Sequence, residues 1–392
     1  MRDVVIVSAK RTPLGAFGGS LSSFTAPELG ASAILEAVKA GGIKADDVQE
    51  VLMGNVLSAG VGQAPARQAA LKAGLNQRTP ATTVNKVCAS GMKSIMIAAD
   101  QIRLGEADII VAGGMESMSN VPYYLPKQRF GSKYGHTQAE DGIVKDGLWD
   151  VYNDYLMGNA GDLCGRECNI SREEQDEYAI TSYRRAIEAT EKGYFQDEVI
   201  KMKVKDRKGN VTEVVKDEEL GKVRFEKIPQ LRPVFDKEGT VTAANASSIN
   251  DGAAAVLVMS ADKAKELGLK PLAKILSHAS AAKAPEWFTT APSDAIPMAL
   301  KKAGLTKNDI DLFEINEAFS VVALANNQIL ELNPEKVNIH GGAVSIGHPL
   351  GCSGARIIVT LIHALKRTKG KYGCAGICNG GGGASSLVLE ML

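Results

Sequence analysis

The 392-residue sequence has little cysteine, no excess of charge of either sign and no long apolar run. Six cysteines are too few for a disulfide framework in a chain of this length. The 45 basic residues equal the 45 acidic ones, which argues against a general nucleic-acid or membrane-surface binder. No apolar run approaches the roughly 20 residues of a membrane-spanning helix, and no signal or transit peptide precedes the strand-like residues 4–7. We therefore expect a cytoplasmic protein, with a mature mitochondrial chain as the alternative.

The chain does contain a repeat of itself. Residues 33–55 can be laid over residues 295–317 with a constant shift of 262 positions, so that Gly42 pairs with Gly304 and Asp47 with Asp309. Each copy predicts an amphipathic helix, a glycine that ends it and a buried strand. Chance similarity between two amphipathic helices is the alternative. Helices that alternate with strands favour an α/β fold of two halves, with helices covering the sheets.

The stretch between the two copies has a different character. It carries many charges, a turn signal at residues 208–210 that predicts a hairpin, and a helix start at Ser171. We interpret residues 121–245 as a loop domain that covers the functional site. The first half is then 1–120, completed by about 246–268, and the second half is 269–392.

Three glycine-rich turns present side chains suited to acyl transfer. Cys88 precedes a predicted helix, whose free N–H groups and dipole favour a thiolate and an oxyanion. His348 lies between two glycines and could act as the general base toward Cys88. Cys378 precedes four glycines and could take and return a proton. Buried inert cysteines and a turn histidine without a role are the alternatives.

A fourth polar residue, Asn316, follows the second copy of the repeated strand. Open α/β sheets place ligand contacts at strand ends, and an asparagine there could orient a water or donate to an oxyanion. Helix N-capping is the alternative. The spacings of Cys374 with Cys378 and of Cys164 with Cys168 are poor zinc patterns, so we do not expect a metal–thiolate site.

Together these motifs resemble the thiolase family, in particular its biosynthetic acetyl-CoA C-acetyltransferases. The resemblance is carried by NKVCASG at 85–91, NEAF at 316–319, GHPLG at 347–351 and CNGGG at 378–382. It spans the chain and implies a duplicated thiolase-like fold, with two βαβαβαββ halves packed in layers and an inserted α+β loop domain. It also implies a role in lipid metabolism, on the mevalonate pathway.

The resemblance further implies a two-step exchange. Cys88 takes an acetyl group from acetyl-CoA while His348 accepts its proton, and Cys378 then deprotonates a second acetyl-CoA. One oxyanion site comprises His348 and a water on Asn316, and the other comprises the backbone N–H groups of Cys88 and Gly380. The expected ligands are acetyl-CoA, acetoacetyl-CoA and CoA, and no cofactor is required for the chemistry.

The family's coenzyme A contacts correspond to seven positions here: Met157, Tyr183, Lys222, Val223, Arg224, Lys227 and Ser247. An ordinary solvated face is the alternative for the lysines. Leu156 stands where many bacterial relatives have a histidine, which puts that pantetheine contact in doubt. Some members bind potassium, and the matching positions are Tyr183, Ala243, Ala244, Ala246 and Val344. The family habit is a homotetramer built from two dimers.

Two related activities compete with this interpretation. A degradative 3-ketoacyl-CoA thiolase of broader chain length is the first alternative. A ketoacyl synthase would carry histidine where this chain has Cys378. A third alternative, from another class, is a non-catalytic acyl-CoA-binding protein, which the presence of both cysteines and His348 argues against.

Overall fold

The computed structural model describes residues 2–205 and 208–392. It has sixteen strands in this part of the chain: β1 (Val4–Arg11), β2 (Gly15–Ala16), β3 (Glu50–Gly54), β4 (Ala81–Val84), β5 (Ile109–Ser117), β6 (Tyr123–Tyr124), β7 (Glu140–Asp141), β8 (Trp149–Asp150), β9 (Tyr155–Leu156), β10 (Met202–Lys205), β11 (Val211–Val214), β12 (Asn250–Ser260), β13 (Ala273–Ala282), β14 (Leu312–Ile315), β15 (Tyr372–Asn379) and β16 (Gly383–Met391). The helices are α1 (Ala26–Ala40), α2 (Pro65–Lys72), α3 (Ser90–Leu104), α4 (Met157–Glu167), α5 (Arg172–Glu191), α6 (Ala261–Glu266), α7 (Pro292–Ala303), α8 (Ser320–Leu330), α9 (Ala343–Ile346) and α10 (Leu350–Thr368).

The main sheet consists of two similar halves joined edge to edge. Its strand order is β14-β15-β16-β13-β1-β12-β5-β3-β4, with β2 beside β12. The halves meet where β1 pairs with β13 through Val5–Lys274 and Ile6–Ala273. In each half the repeat predicted from sequence supplies a helix and then a parallel strand: α1 and β3 in the first, α7 and β14 in the second. The paired glycines Gly42 and Gly304 both adopt the left-handed region, with φ of 70°.

The largest apolar core lies between the two halves. Helices α3 and α10 pack against each other there, and their apolar side chains meet those of strands from both halves. Ile95 and Leu361 are fully buried at this contact, and each such side chain contributes about 1.5–3 kcal/mol relative to exposure. Separate apolar clusters cover the outer faces, under α1 and α2 on one side and α7 on the other. The predicted α/β architecture with helices on the sheet faces is confirmed.

The inserted stretch contributes short strands and two helices. Ser171 accepts a hydrogen bond from the N–H of Glu174 and begins α5, as its sequence predicts. The predicted hairpin is the antiparallel pair β10–β11. Helix α4 packs against α8 and the turn at residues 285–290, so its first turn reaches the end of the sheet that carries the glycine-rich turns.

Candidate active site

Cys88 lies in the turn between β4 and α3, at the strand-to-helix junction predicted from sequence. The preceding residue, Val87, has a φ of 46°, which is uncommon for a β-branched residue and turns the chain sharply. The backbone N–H groups of Gly380 and of Cys88 itself lie close enough to the Cys88 sulfur to lower the pKa of its thiol. The two amides expected to form an oxyanion site are therefore near the sulfur.

The protonation state of Cys88 differs from the sequence expectation. The side chain is partly exposed to the cavity described below, yet desolvation by the surrounding protein raises the pKa of its thiol to about 12. The N–H groups of the two amides oppose this rise in pKa without overcoming it. Desolvation thus outweighs the stabilisation of a thiolate that we expected from the helix start, and Cys88 needs a base.

His348 supplies a neutral imidazole beside this thiol. The left-handed φ of 109° at Gly347 allows the turn, and a Cβ atom there would lie 2.3 Å from the side chain of Asn250. The backbone N–H of His348 donates to Asn250 Oδ1 at 2.9 Å. Burial, and the nearby Arg356 cation, lower the pKa of His348 to about 3. Its Nε2 is buried and has no hydrogen-bond partner among the described residues.

Cys378 is the next-to-last residue of β15, and Asn379 separates it from the run of glycines. Gly381 and Gly382 adopt φ of 80° and 81°, so this turn depends on glycine. Burial raises the pKa of Cys378 well above its ordinary value, and the proximity of Cys88 raises it further. A thiol that resists ionisation becomes a strong base once it has lost its proton, which suits removal of a proton from carbon.

Asn316 follows β14, and its backbone N–H donates to Gly376 O at 2.9 Å. Its side chain is fully buried, and neither the amide nitrogen nor its oxygen finds a partner among residues 2–205 and 208–392. An orphaned buried amide requires a water or ligand. Helix α8 begins at Ser320 with Phe319 as its N-cap, so the alternative of an N-capping Asn316 is not supported.

A cavity of about 310 Å³ opens onto part of this group of residues. Cys88, His348 and Gly380 line it, together with two positions expected to contact coenzyme A, Met157 and Ser247. The rest of its wall is mostly apolar and includes Met118, Leu148, Leu156, Phe235, Phe288, Phe319 and Leu350. Cys378 lies behind this wall in a cluster with Phe288 and Met157. The space can hold a thioester arm with an acyl group, and its wall excludes water.

The remaining positions assigned to coenzyme A lie outside that wall. Lys222, Arg224 and Lys227 are exposed on a segment of two short 3₁₀ turns, where Lys222 pairs with Glu219 at 3.6 Å. Val223 is half-buried between them. The segment leads towards Phe235, which lines the cavity. Lys222 and Lys227 are therefore solvated and accessible to a ligand that extends from the cavity along this segment.

The positions assigned to potassium belong to α5, to the segment before β12 and to α9, and α5 packs against α9. Tyr183 packs edge-on against Phe225, and burial with nearby Glu219 raises the pKa of its phenol to about 12. Val344 donates its N–H to Glu317 Oε2 at 3.1 Å. Within the described residues, the carbonyl oxygens of Ala243, Ala244, Ala246 and Val344 accept no hydrogen bond. Free carbonyl oxygens fit a hard monovalent cation.

Sequence reasoning missed two polar residues that support the site. Glu116 is fully buried and accepts four hydrogen bonds, one of them from Gly351 at the start of α10. Asn250 holds the backbone of His348, as described above. Glu116 is the next-to-last residue of β5 and Asn250 is the first residue of β12. Nothing in their local sequence distinguishes them from other polar residues near strand ends.

Two kinds of site are absent from the part of the chain that the structure describes. No group of three or more metal-ligating His, Cys, Asp or Glu side chains occurs in it. No helix in these residues combines the length and apolar character needed to cross a bilayer. Cys164 and Cys168 lie together with their sulfurs 3.9 Å apart and no third ligand.

Family models match nearly the whole chain. The model of the thiolase N-terminal domain matches residues 4–262, and that of the thiolase C-terminal domain matches residues 269–391. Among curated relatives, acetyl-CoA acetyltransferase 1 of Arabidopsis thaliana is 58% identical over 393 residues, covering 100% of this chain and 95% of the relative. A cytosolic acetyl-CoA acetyltransferase of Gibberella zeae is 56% identical over 390 residues, covering 99% and 98%. A mitochondrial acetyl-CoA acetyltransferase of Bos taurus is 57% identical over 394 residues, covering 100% and 92%.

The fold has a close counterpart among solved structures. The crystal structure of the Acat5 thiolase from Ascaris suum in complex with coenzyme A superposes with a TM-score of 0.95. It is 44% identical to this chain, and the match covers 100% of both chains. The duplicated architecture expected from the sequence is thus confirmed.

Proposed function

Because the chain belongs to the thiolase family and is an acyltransferase, we propose that it condenses two acetyl-CoA molecules, reversibly, to acetoacetyl-CoA and CoA. The observation that carries this proposal is the meeting of Cys88, His348 and Gly380 on one apolar cavity, with Cys378 directly behind it. The relatives named above as acetyl-CoA acetyltransferases favour this activity over the degradative alternative.

The first half-reaction transfers an acetyl group to Cys88. The thiol proton passes to His348 Nε2 as the sulfur attacks the thioester carbonyl carbon. The carbonyl oxygen becomes an oxyanion, which the N–H groups of Cys88 and Gly380 stabilise because both lie near the attacking sulfur. When the C–S bond to CoA breaks, the departing CoA sulfur takes the proton of Cys378, which leaves Cys378 as a thiolate. Acetyl-Cys88, free CoA, the Cys378 thiolate and a protonated His348 result.

The second half-reaction forms the carbon–carbon bond. The Cys378 thiolate takes a proton from the methyl group of a second acetyl-CoA. The enolate oxygen is stabilised by the Nε2–H of protonated His348 and by a water that the orphaned side chain of Asn316 would hold. The carbanion attacks the carbonyl carbon of acetyl-Cys88, the C–S bond breaks, acetoacetyl-CoA leaves, and His348 returns its proton to the Cys88 sulfur. Only groups of this chain and its substrates take part.

Coenzyme A extends from the cavity in this proposal. Met157 and Ser247 contact its pantetheine arm, and Lys222, Arg224 and Lys227 approach its phosphates from the exposed segment. Residues 121–245 act as the covering domain. The halves on either side of it, residues 1–120 with 246–268 and residues 269–392, supply Cys88 and Cys378 respectively.

Labelling with acetyl-CoA tests the proposal directly. We expect Cys88→Ala to abolish acetylation of the protein, and Cys378→Ala to retain acetylation but lose condensation. Formation of acetoacetyl-CoA by either variant would contradict the assignment. Comparable thiolysis of long-chain and four-carbon 3-ketoacyl-CoA substrates would favour the degradative alternative.

Four further properties belong to the proposal. Potassium would bind through Tyr183 and the carbonyl oxygens described above, which is tested by activity and melting temperature in potassium against sodium. A homotetramer built from two dimers is tested by sedimentation. A cytoplasmic location is tested by cell fractionation. A supply of acetoacetyl-CoA to lipid metabolism through the mevalonate pathway is tested by gene deletion with mevalonate rescue.

A further inference from the structure

His348 can act as a base toward Cys88 in only one of its two neutral tautomers. A neutral imidazole carries a single proton, on Nδ1 or on Nε2. Only the Nδ1–H form has a lone pair on Nε2, the nitrogen that is left without a partner among the described residues. The contact made by Nδ1 therefore decides whether the base is competent.

The contact of Nδ1 is the hydroxyl of Ser353, in the first turns of α10. His348 Nδ1 lies 2.6 Å from Ser353 Oγ, and that hydroxyl lies 2.9 Å from Pro349 O, to which it donates. A serine hydroxyl has one proton, so a hydroxyl that donates to Pro349 can only accept from His348. Ser353 is 1% exposed and His348 5% exposed, so bulk water does not replace this bond.

We propose that Ser353 is the positioning residue for proton transfer, holding His348 in the Nδ1–H tautomer so that Nε2 receives the Cys88 proton. This rests on the proposed function, in which His348 is the base. When Nε2 takes the proton, the imidazolium carries N–H on both nitrogens, and Ser353 Oγ still accepts from one of them. The Arg356 cation disfavours this imidazolium and the Cys88 thiolate favours it. A fixed acceptor at Nδ1 therefore helps to stabilise the imidazolium when the proton passes from Cys88 to His348.

Ser353→Ala removes the acceptor, and Ser353→Thr retains a hydroxyl that can restore it. The matched control is Ser94→Ala, because Ser94 is also fully buried and donates to the carbonyl four residues earlier in its helix, at 3.1 Å. Ser94 has no contact with a histidine among its hydrogen bonds in the described residues. If Ser353→Ala fails to fold, Ser353→Cys keeps the size with a weaker acceptor and serves in its place.

Two rates are measured on the full-length enzyme over the neutral pH range. One is acetylation of Cys88 by acetyl-CoA in a single turnover, and the other is alkylation of Cys88 by iodoacetamide, followed by peptide mass spectrometry. We expect Ser353→Ala to lower both by about tenfold or more, including the pH-independent part of the alkylation rate. The KM for acetyl-CoA should stay unchanged, and Ser353→Thr should recover most of the loss.

The two rates separate this inference from the proposed function. If acetyl-CoA fails to label the unmodified protein, the proposed function is wrong, but alkylation still reports proton transfer from Cys88. If Ser353→Ala alkylates and acetylates Cys88 within about twofold of Ser94→Ala, Ser353 does not position the base and the inference is refuted.

Discussion

We expect Glu116→Gln to destabilise the protein and to slow acetylation of Cys88, because the buried carboxylate of Glu116 accepts four hydrogen bonds. Four N–H groups reach it: Asn55 Nδ2 at 2.6 Å and Leu57 N at 3.2 Å on Oε1, and Val56 N at 3.1 Å and Gly351 N at 2.8 Å on Oε2. Burial raises the pKa of Glu116 to about 7, so at about pH 8 the side chain is ionised. A glutamine replaces one acceptor oxygen by a donor.

The structure indicates how far the glutamine can adapt. Asn55 Oδ1 is buried and unpartnered, so Asn55 can rotate its amide and accept from the new NH₂ group, at the loss of its bond to Met115 O. The backbone N–H of Leu57 cannot reverse and is left without an acceptor, which costs about 1–3 kcal/mol. The other bonds weaken because the charge is gone. We therefore expect a loss of about 2–4 kcal/mol in the free energy of unfolding.

Urea unfolding at about pH 8, at one protein concentration and without ligand, measures this loss. Glu213→Gln is the control, because Glu213 is half-exposed and pairs with Lys201 at 3.5 Å, so it should change stability by less than about 0.5 kcal/mol. A loss below about 1 kcal/mol for Glu116→Gln would refute the reasoning. Acetylation of Cys88 should also slow. The N–H of Gly351 donates to Glu116, and Gly351 lies three residues after His348, so the loss of this bond should disturb the turn that holds His348.

Two further predictions concern charge. Burial raises the pKa of Cys88 to about 12. The difference in thiolate absorbance between the unmodified protein and Cys88→Ser should therefore be zero near neutral pH and appear only as the pH rises towards that value. A full thiolate signal at neutral pH would contradict this, and Cys168→Ser serves as the control. Arg11 is fully buried and bonded to Glu198 at 2.6 Å and Asp217 at 2.7 Å, so Glu198→Ala should cost about 3 kcal/mol in urea unfolding. A cost under about 1 kcal/mol would show that Asp217 alone compensates the guanidinium.

Much of the fold and the centre of the site could be predicted because both rest on local patterns. The repeat of residues 33–55 at 295–317 already placed a helix and a strand in each half, since apolar periodicity and a terminal glycine encode such units locally. The turns at His348 and Cys378 carry glycines where the chain adopts left-handed φ, so these turns could be expected as well. In the Cys88 turn the left-handed residue is Val87, which no local pattern indicates.

Other features depend on groups that converge from distant parts of the chain. Sequence reasoning expected a stabilised thiolate at Cys88, but desolvation by the assembled halves raises its pKa instead. The isolation of the Asn316 side chain, and the four donors around Glu116, exist only once several elements have packed.

The α/β halves, the turns and the residue types that carry the chemistry can be derived from the chain alone, because they follow from the spacing of side chains along one segment. The folded molecule is needed to establish which nitrogen of His348 is free, how Ser353 contacts the other, and which assigned residues line the cavity. Burial, proton positions and orphaned polar groups are set by neighbours far apart in the chain, so no local pattern records them.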